Sequence, residues 1–404
     1  MKKRAITLAG GGPAAGLHIG VLQRLAEEKF TFDVWALSCI GAWVGIVYNQ
    51  CTRGKEVEET YNFFRDGVFR NDESYARFPV NSVFGADIRA NYGAMVEFLL
   101  NPESYRHLVL PNEIGRSISS TMEFMSNPAK WNEGDFNRWM LNDVMAVHPA
   151  SRFLSSLMYC TEVSGLSRIH WPDSVFMKAM KFERLYEKDK PFLFHNAWNI
   201  TQQSLDLFSN KPEFLPNSQT KYKPITPASL CACSALPYIE ETVEIDGDIY
   251  CEGALVDTVN FQDLIEDHPD VDEIWISRIV DARQVRPPRN IADALGNLCM
   301  LFAATVGQDD VKLFRYHAAD LGWPGQIIEI QVPNTVDFEW RHSNLDRGRE
   351  AGYRAADELL KSYDPEVKRP HVLRSSPRRI DRARRRSDVS ATSEKDAQSG
   401  ASVA

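Results

Sequence analysis

The sequence predicts an α/β domain, because two short apolar strands each lead through a tight turn directly into a helix. The first strand, at residues 5–9, is followed by a glycine-rich loop at residues 10–16 and an apolar helix. The second β-rich run, at residues 30–37, is followed by small and apolar residues at helical spacing over residues 40–48. The chain has 404 residues, of which 44 % are hydrophobic, so it can form one large domain of this class.

The glycine-rich loop contains Gly10, Gly11 and Gly12. A loop between a strand and a helix N-terminus points backbone N–H groups at an anion. This loop lacks the Gly-Lys-Ser/Thr of a P-loop, and it fits the dinucleotide-binding fingerprint only loosely. The same amides can instead form an oxyanion hole for a tetrahedral intermediate. We favour the oxyanion hole, because the next turn carries a candidate nucleophile about 25 residues later.

That next turn, at residues 38–41, has the order of a nucleophile elbow, in which a strained turn presents one side chain in front of a helix N-terminus. Gly41 follows Cys39 by two residues, which places Cys39 at the nucleophile position and Leu37 where the first glycine would be. Ser38 is the competing nucleophile, although a shift of one residue would send its side chain to the other face. Buried cysteines are commonly inert, so the elbow is the reason for choosing Cys39.

A third segment far along the chain completes a known pattern. Residues 250–257, Tyr-Cys-Glu-Gly-Ala-Leu-Val-Asp, resemble the Asp-Gly-Gly/Ala segment of the patatin-like phospholipase family, and the glycine loop and the elbow resemble its first two motifs. The order and spacing fit over roughly residues 4–280. The resemblance implies a three-layer α/β/α sandwich with a mostly parallel central sheet. It also implies a serine acyl hydrolase that acts on lipids through a Ser-Asp dyad.

The sequence departs from this family pattern at each catalytic position. Cys39 replaces the serine, Glu252 replaces the aspartate, and Ala14 stands where an arginine often follows the glycines. A proton transfer from a thiol with a pKa of about 8.5 to a carboxylate with a pKa of about 4.3 costs about 6 kcal/mol. Because glutamate is longer and sulfur is larger, either a backbone segment shifts or Glu252 has a new role. Asp257 is the reserve acid.

A cysteine nucleophile forms a thioester, for which water competes less well than other acyl acceptors. We therefore expect an acyltransferase or acyl hydrolase with a covalent Cys39 acyl-enzyme and Glu252 as its partner. The expected substrate is a long-chain acyl thioester, from acyl-CoA or acyl carrier protein, or a lipid ester. Two alternatives stay open: a lipase that uses Ser38, and a catalytically inactive lipid- or acyl-binding protein. No metal or other cofactor is implied.

Residues 1–364 are predicted to form the α/β domain. Recurring aromatic residues predict helices over about 60–150, either as packing elements or as a cap over an apolar acyl groove. Residues 154–171 and 193–207 alternate like half-buried strands and fit an antiparallel extension of the sheet, and residues 271–279 are the next core strand. An amphipathic helix at residues 343–363, with Ser343 as its N-cap, closes the domain.

The net charge of −9 is unevenly placed, because residues 365–404 hold ten Lys or Arg and only five Asp or Glu. We expect this basic tail to be disordered. A solvated tail is the favoured interpretation, an anchor for an anionic membrane surface is the alternative, and nucleic acid is a weak candidate. No apolar run approaches the roughly 20 residues that span a bilayer. The seven irregularly spaced cysteines contain no metal or disulfide pattern, so the expected location is cytoplasmic or peripheral to the membrane.

Overall fold

The computed structural model describes residues 2–77, 111–148, 175–214, 221–332 and 337–366, with residues 165–167 and the single residues 79, 96, 100 and 151. Statements about the structure concern these residues. The predicted tail from residue 367 onward lies outside them, and so does most of the strand predicted at residues 154–171. The helical cap predicted at about 60–150 also lies partly outside them and stays a prediction.

A nine-stranded mixed sheet forms the centre of the described domain. The strands among the described residues are β1 (Arg4–Leu8), β2 (Val34–Leu37), β3 (Gly165–Ser167), β4 (Phe192–Asn199), β5 (Ser204–Ser209), β6 (Lys223–Pro224), β7 (Tyr238–Glu240), β8 (Val243–Ile245), β9 (Asp248–Glu252), β10 (Glu273–Arg278) and β11 (Gln326–Gln331). The main sheet has the order β11-β10-β1-β2-β4-β5-β6, and β9 joins it by pairing with β4 and β8. Strands β11, β10, β1, β2 and β4 run parallel. Strands β3 and β7 form a separate two-stranded ladder.

The helices connect and cover these strands. They are α1 (Ala15–Glu27), α2 (Ile40–Gln50), α3 (Glu56–Gly67), α4 (Asp72–Arg77), α5 (Pro111–Ser126), α6 (Glu133–Trp139), α7 (Val175–Ala179), α8 (Pro227–Ala232), α9 (Leu264–Asp267), α10 (Ile291–Asp320) and α11 (His342–Lys361). In the part of the chain that is described, none of the helices combines the length and the apolar composition that a membrane crossing needs.

The side chains of the central strands alternate between two hydrophobic cores. Ile6 and Leu8 of β1 belong to a core with α1, α2 and α11, whereas Ala5 belongs to a second core with α9 and the C-terminal half of α10. Strands β2 and β10 alternate in the same way. Helices therefore cover both faces of the parallel region, as buried parallel sheets require. This arrangement confirms the three-layer α/β/α sandwich.

Two local predictions differ from the structure. Residues 193–207 are not a single antiparallel extension, because they contain the antiparallel pair β4 and β5, and β4 itself runs parallel to β2. Nearly all of β4 is buried, so it occupies the interior of the sheet. Helix α11 begins at His342, and the N–H of Ser343 donates to Asp72 Oδ1 at 2.9 Å. The carboxylate of Asp72 therefore serves the helix start in place of the predicted Ser343 cap.

Helices α1 and α11 approach so closely that their backbones touch. A Cβ atom added to Gly16 would lie 2.2 Å from Leu345 O, and one added to Gly20 would lie 1.9 Å from Arg349 O. From the other side, a Cβ atom on Gly352 would lie 2.0 Å from Leu17 O. Only residues without a side chain allow this contact, which locks the last helix onto the first.

We expect Gly20→Ala to destabilise the domain, because the added methyl group meets a backbone carbonyl that cannot move independently of α11. Overpacking of this kind typically costs about 1–3 kcal/mol. The measurement is the free energy of unfolding from urea denaturation. Gly115→Ala is the matched control, since no atom lies within 4 Å of its added Cβ and alanine favours helix. Equal stabilities of Gly20→Ala and wild type would contradict the packing described here.

Candidate active site

The turn between β2 and α2 holds Cys39 in a strained backbone conformation. Cys39 has φ 48° and ψ −123° and is the N-cap residue of α2. Positive φ is uncommon for residues other than glycine and is maintained only where the surrounding structure enforces it. Gly41 provides part of that enforcement, because a Cβ atom there would lie 2.0 Å from Leu8 O of β1. The turn thus has the geometry of a nucleophile elbow, with Cys39 at its tip.

Cys39 faces a cavity of about 580 Å³. This volume lies within the roughly 300–1,000 Å³ of typical small-molecule sites. The walls come from the glycine loop, the elbow, the end of β9 and the N-terminal half of α10, and most of the side chains are apolar. They include Gly10, Gly11, Gly12, Cys39, Ile40, Trp43, Leu236, Glu252, Ala254, Leu255, Leu295, Leu298, Cys299, Phe302, Val306, Phe338 and Trp340.

Glu252 reaches the cavity from the last position of β9. Its backbone is held on two sides, since it lies opposite Ala197 of β4 and its N–H donates to Ala235 O at 2.9 Å. The side chain is only 6 % exposed. Burial raises the pKa of the Glu252 carboxyl to about 7, and the hydrogen bond from Cys39 partly offsets that rise. Near neutral pH this carboxyl group therefore exists in both protonation states.

The Cys39 thiol and the Glu252 carboxyl are close enough for each to change the pKa of the other. Burial raises the pKa of the thiol well above its ordinary value, and the charge and hydrogen bond of Glu252 raise it further. The backbone of Gly11 acts in the opposite direction and lowers the thiol pKa. The resting pair is therefore a neutral thiol beside a carboxyl group.

The three glycines of the loop have different environments. The N–H of Gly10 already donates to Thr258 O at 3.0 Å, so it anchors the loop and is not available to an oxyanion. The backbone of Gly11 lies close enough to Cys39 to lower the pKa of its thiol. Gly12 has φ 60°, and a Cβ atom there would lie 2.5 Å from the Phe338 ring. The Gly10 amide is thus already bound, and the oxyanion hole stays a prediction for Gly11 and Gly12.

The competing nucleophile and the reserve acid lie outside the cavity wall. Ser38 is fully buried, and its hydroxyl donates to Asn196 Oδ1 at 3.0 Å. Asp257 accepts the N–H groups of Asn260 and Phe261 at 2.7 and 2.9 Å, so its carboxylate organises the loop after β9. The structure thus brings Cys39 and Glu252 together and leaves Ser38 and Asp257 in supporting positions.

His18 does not belong to a catalytic triad. Its Nδ1 lies 2.8 Å from Ser277 Oγ and its Nε2 lies 2.8 Å from Ala9 O. Burial lowers the pKa of His18 to about 4, so the ring is neutral and ties α1 to the sheet. The residues that line the described cavity include no histidine.

The contribution of α10 to the cavity wall was not predicted from the sequence. Leu295, Leu298, Phe302 and Val306 follow one another at intervals of three or four residues, which is a helical signal. That spacing indicates an amphipathic helix, but it does not say which surface the helix covers. Phe338 and Trp340, which precede α11, complete this wall.

An α/β/α sandwich whose elbow turn faces an apolar cavity is an arrangement found in acyl hydrolases. The family model for patatin-like phospholipase matches residues 6–265, and the chain belongs to this family. No curated protein matches the sequence. Among solved structures, the chain is similar to VipD from Legionella pneumophila, with 12 % identity, a TM-score of 0.37, and coverage of 89 % of this chain and 67 % of that one.

Proposed function

We propose that the protein is an acyltransferase or acyl hydrolase that works through a thioester on Cys39. The observation that carries this proposal is the Cys39 thiol at the tip of a strained elbow, facing an apolar cavity that Glu252 also lines. The cavity suits a long acyl chain, and lipid esters are the substrate class of the family. The proposed donor is an acyl thioester, from acyl-CoA or acyl carrier protein, or a lipid ester.

Acylation requires Glu252 in its ionised form. Glu252 takes the proton of the Cys39 thiol while the sulfur attacks the acyl carbonyl, so a C–S bond forms and the carbonyl oxygen becomes an oxyanion. The N–H groups of Gly11 and Gly12 stabilise that oxyanion. When the tetrahedral intermediate collapses, the bond to the leaving group breaks and the protonated Glu252 returns its proton to the departing sulfur or oxygen.

Deacylation uses the same groups in reverse. Glu252 removes a proton from water or from an alcohol or amine acceptor, which attacks the thioester carbonyl and displaces the Cys39 sulfur. The sulfur then recovers its proton from Glu252. Because the cavity wall is largely apolar, bulk water has limited access to the thioester. This restriction favours transfer to an acceptor that binds in the cavity.

The raised pKa values decide the timing of proton transfer. The Cys39 pKa lies well above its ordinary value, and that of Glu252 is about 7, so a free thiolate is costly to form before attack. Proton transfer and C–S bond formation therefore take place together. The N-terminus of α2 behind Cys39 stabilises the negative charge that develops on sulfur.

A catalytically inactive acyl-binding protein is the second candidate. The raised pKa of the buried Cys39 thiol favours it, because an unreactive thiol keeps its proton. A lipase that uses Ser38 has less support, since the Ser38 hydroxyl is hydrogen-bonded to Asn196 and lies outside the cavity wall.

The test is intact-protein mass spectrometry after incubation with a long-chain acyl-CoA, an acyl carrier protein thioester and a phospholipid, followed by peptide mapping. We expect one acyl mass on Cys39 with at least one donor, and no acyl mass in Cys39→Ala. Cys299→Ala is the matched control, because this second thiol lines the same cavity and its loss leaves the acyl group in place. Retention of a donor with no covalent mass would overturn the proposal and favour the binding protein.

A further inference from the structure

A buried side chain of β4 contacts both halves of the candidate site. Asn196 lies in β4 and is fully buried. Its Oδ1 accepts a hydrogen bond from Ser38 Oγ at 3.0 Å, and its Nδ2 donates to Asp257 O at 2.7 Å. Ser38 immediately precedes Cys39 in the elbow. Asp257 ends the short segment that begins at Glu252. The amide therefore bridges two turns that lie far apart in the sequence.

A close contact beside Glu252 brings the same amide nearer to the reacting groups. A Cβ atom on Gly253 would lie 2.8 Å from Asn196 Oδ1, so only glycine fits next to Glu252. The neighbouring Ala197 is paired with Glu252 across the β4–β9 ladder. Asn196 therefore restricts the position of the backbone next to Glu252. It also holds the elbow through the hydrogen bond from Ser38.

We propose that Asn196 is a positioning residue that fixes the separation of Cys39 and Glu252. The inference rests on the proposed pairing of these two residues. Movement of the elbow away from the Glu252 loop breaks one of the two amide hydrogen bonds and leaves a buried polar group without a partner, which is unfavourable. A second buried amide acts in the same direction, since Asn260 Nδ2 donates to Leu37 O at 2.9 Å. The Ser38 hydroxyl also lies 3.3 Å from Asp257 O, so Asn196 and Ser38 together connect the two turns.

Loss of this bridge has a predictable effect on the chemistry of Cys39. The charge of Glu252 and its hydrogen bond both raise the pKa of the thiol. When Asn196→Ala loosens the loop, Glu252 moves away from the sulfur and the thiol becomes more acidic. The pH profile of Cys39 alkylation by iodoacetamide is therefore expected to shift to lower pH. At pH 7 the alkylation rate constant is expected to rise about tenfold, because the free energy of one hydrogen bond corresponds to roughly this factor in an equilibrium constant.

The control is a second buried asparagine on the same strand. Asn199 Nδ2 donates to Asp206, Asp248 and Tyr250 at 2.9–3.0 Å, and its side chain is 1 % exposed. Asn199→Ala therefore removes a comparable set of hydrogen bonds without touching the elbow. We expect it to lower the melting temperature and to leave the alkylation profile of Cys39 unchanged.

Ser38→Ala keeps the inference testable if Asn196→Ala fails to fold. This variant removes the hydroxyl that donates to Asn196 and lies 3.3 Å from Asp257 O, but it leaves the hydrogen bond from Asn196 to Asp257 in place. We therefore expect a smaller shift of the alkylation profile in the same direction. An Asn196→Ala or Ser38→Ala protein with the wild-type profile, or an equal shift in Asn199→Ala, would overturn the assignment. Alkylation needs no acyl donor, so this result is independent of whether the protein transfers acyl groups. Where a substrate is found, kcat falls in Asn196→Ala while KM stays close to that of wild type.

Discussion

Cys39→Ala is expected to abolish acyl-enzyme formation and turnover, and Cys39→Ser is expected to leave hydrolysis in place of transfer. Alanine has no nucleophile, and losses of about 10⁶-fold in kcat follow removal of the nucleophile in a well-studied serine protease. Serine retains a nucleophile but forms an oxygen ester, which is a poorer acyl donor to other acceptors than a thioester is. The measurement is the ratio of transferred to hydrolysed product, by mass spectrometry, with acceptor and water in competition.

Cys299→Ala serves as the control for this comparison, because it removes a thiol from the cavity without touching the elbow. Its ratio of transfer to hydrolysis should match that of wild type. Activity that survives in Cys39→Ala but disappears in Ser38→Ala would contradict the proposal and indicate the Ser38 lipase.

Glu252→Gln is expected to reduce the acylation rate by about 10²–10⁴-fold at pH 8, the usual contribution of a general base. In the wild-type protein the rate should rise with pH through about 7, because Glu252 accepts a proton only when it is ionised. Glutamine cannot accept that proton, so the rise near pH 7 should disappear in the variant. The measurement is the single-turnover acylation rate from pH 5 to pH 9.

Glu252→Gln should also increase the free energy of unfolding at high pH. The pKa of Glu252 is about 7 in the folded protein and has an ordinary value of 4.5, so the folded state binds more protons between these pH values. Stability is therefore lost as the pH rises from about 4.5 to 7, and at pH 8 the ionised carboxylate costs on the order of 3 kcal/mol.

Urea denaturation at pH 4 and pH 8 tests this linkage. Glu252→Gln should exceed wild type in unfolding free energy at pH 8 and should match it more closely at pH 4. Glu244→Gln is the control, because Glu244 lies on the adjacent strand β8 and is exposed. An equal gain in unfolding free energy in Glu244→Gln, or no gain in Glu252→Gln, would show that the buried Glu252 carboxylate does not destabilise the folded protein.

Sequence reasoning located the elbow because it is a local pattern, and the family resemblance located the Glu252 segment. When a strand ends at residue 37 and Gly41 and a helix follow it, the backbone of the turn between them has few possible conformations. Residue 41 has to be glycine because an added Cβ atom would lie 2.0 Å from Leu8 O, and the elbow pattern carries a glycine at that place. The α/β class followed from the order of such local units, and the three-layer sandwich followed from the family resemblance.

The remaining errors concern contacts between distant segments. Alternation predicted strands at residues 193–207, but it did not reveal that β4 pairs in parallel with β2. The run of glycines indicated a loop, but it did not show that the Gly10 N–H already donates to Thr258 O. In both cases a partner about 160 or more residues away decides the outcome, and no local pattern specifies that partner.

The sequence by itself determined two local units of this protein, the strand, loop and helix of the glycine segment and the elbow at Cys39, and its family resemblance indicated the acidic segment at Glu252. The first two depend on backbone conformations and periodicities that neighbouring residues set. Only the tertiary structure decided that the Cys39 thiol contacts Glu252, that α10 forms a cavity wall, and that Asn196 bridges the two turns. Burial in that assembled site also sets the pKa values, because desolvation depends on every segment that packs around a group.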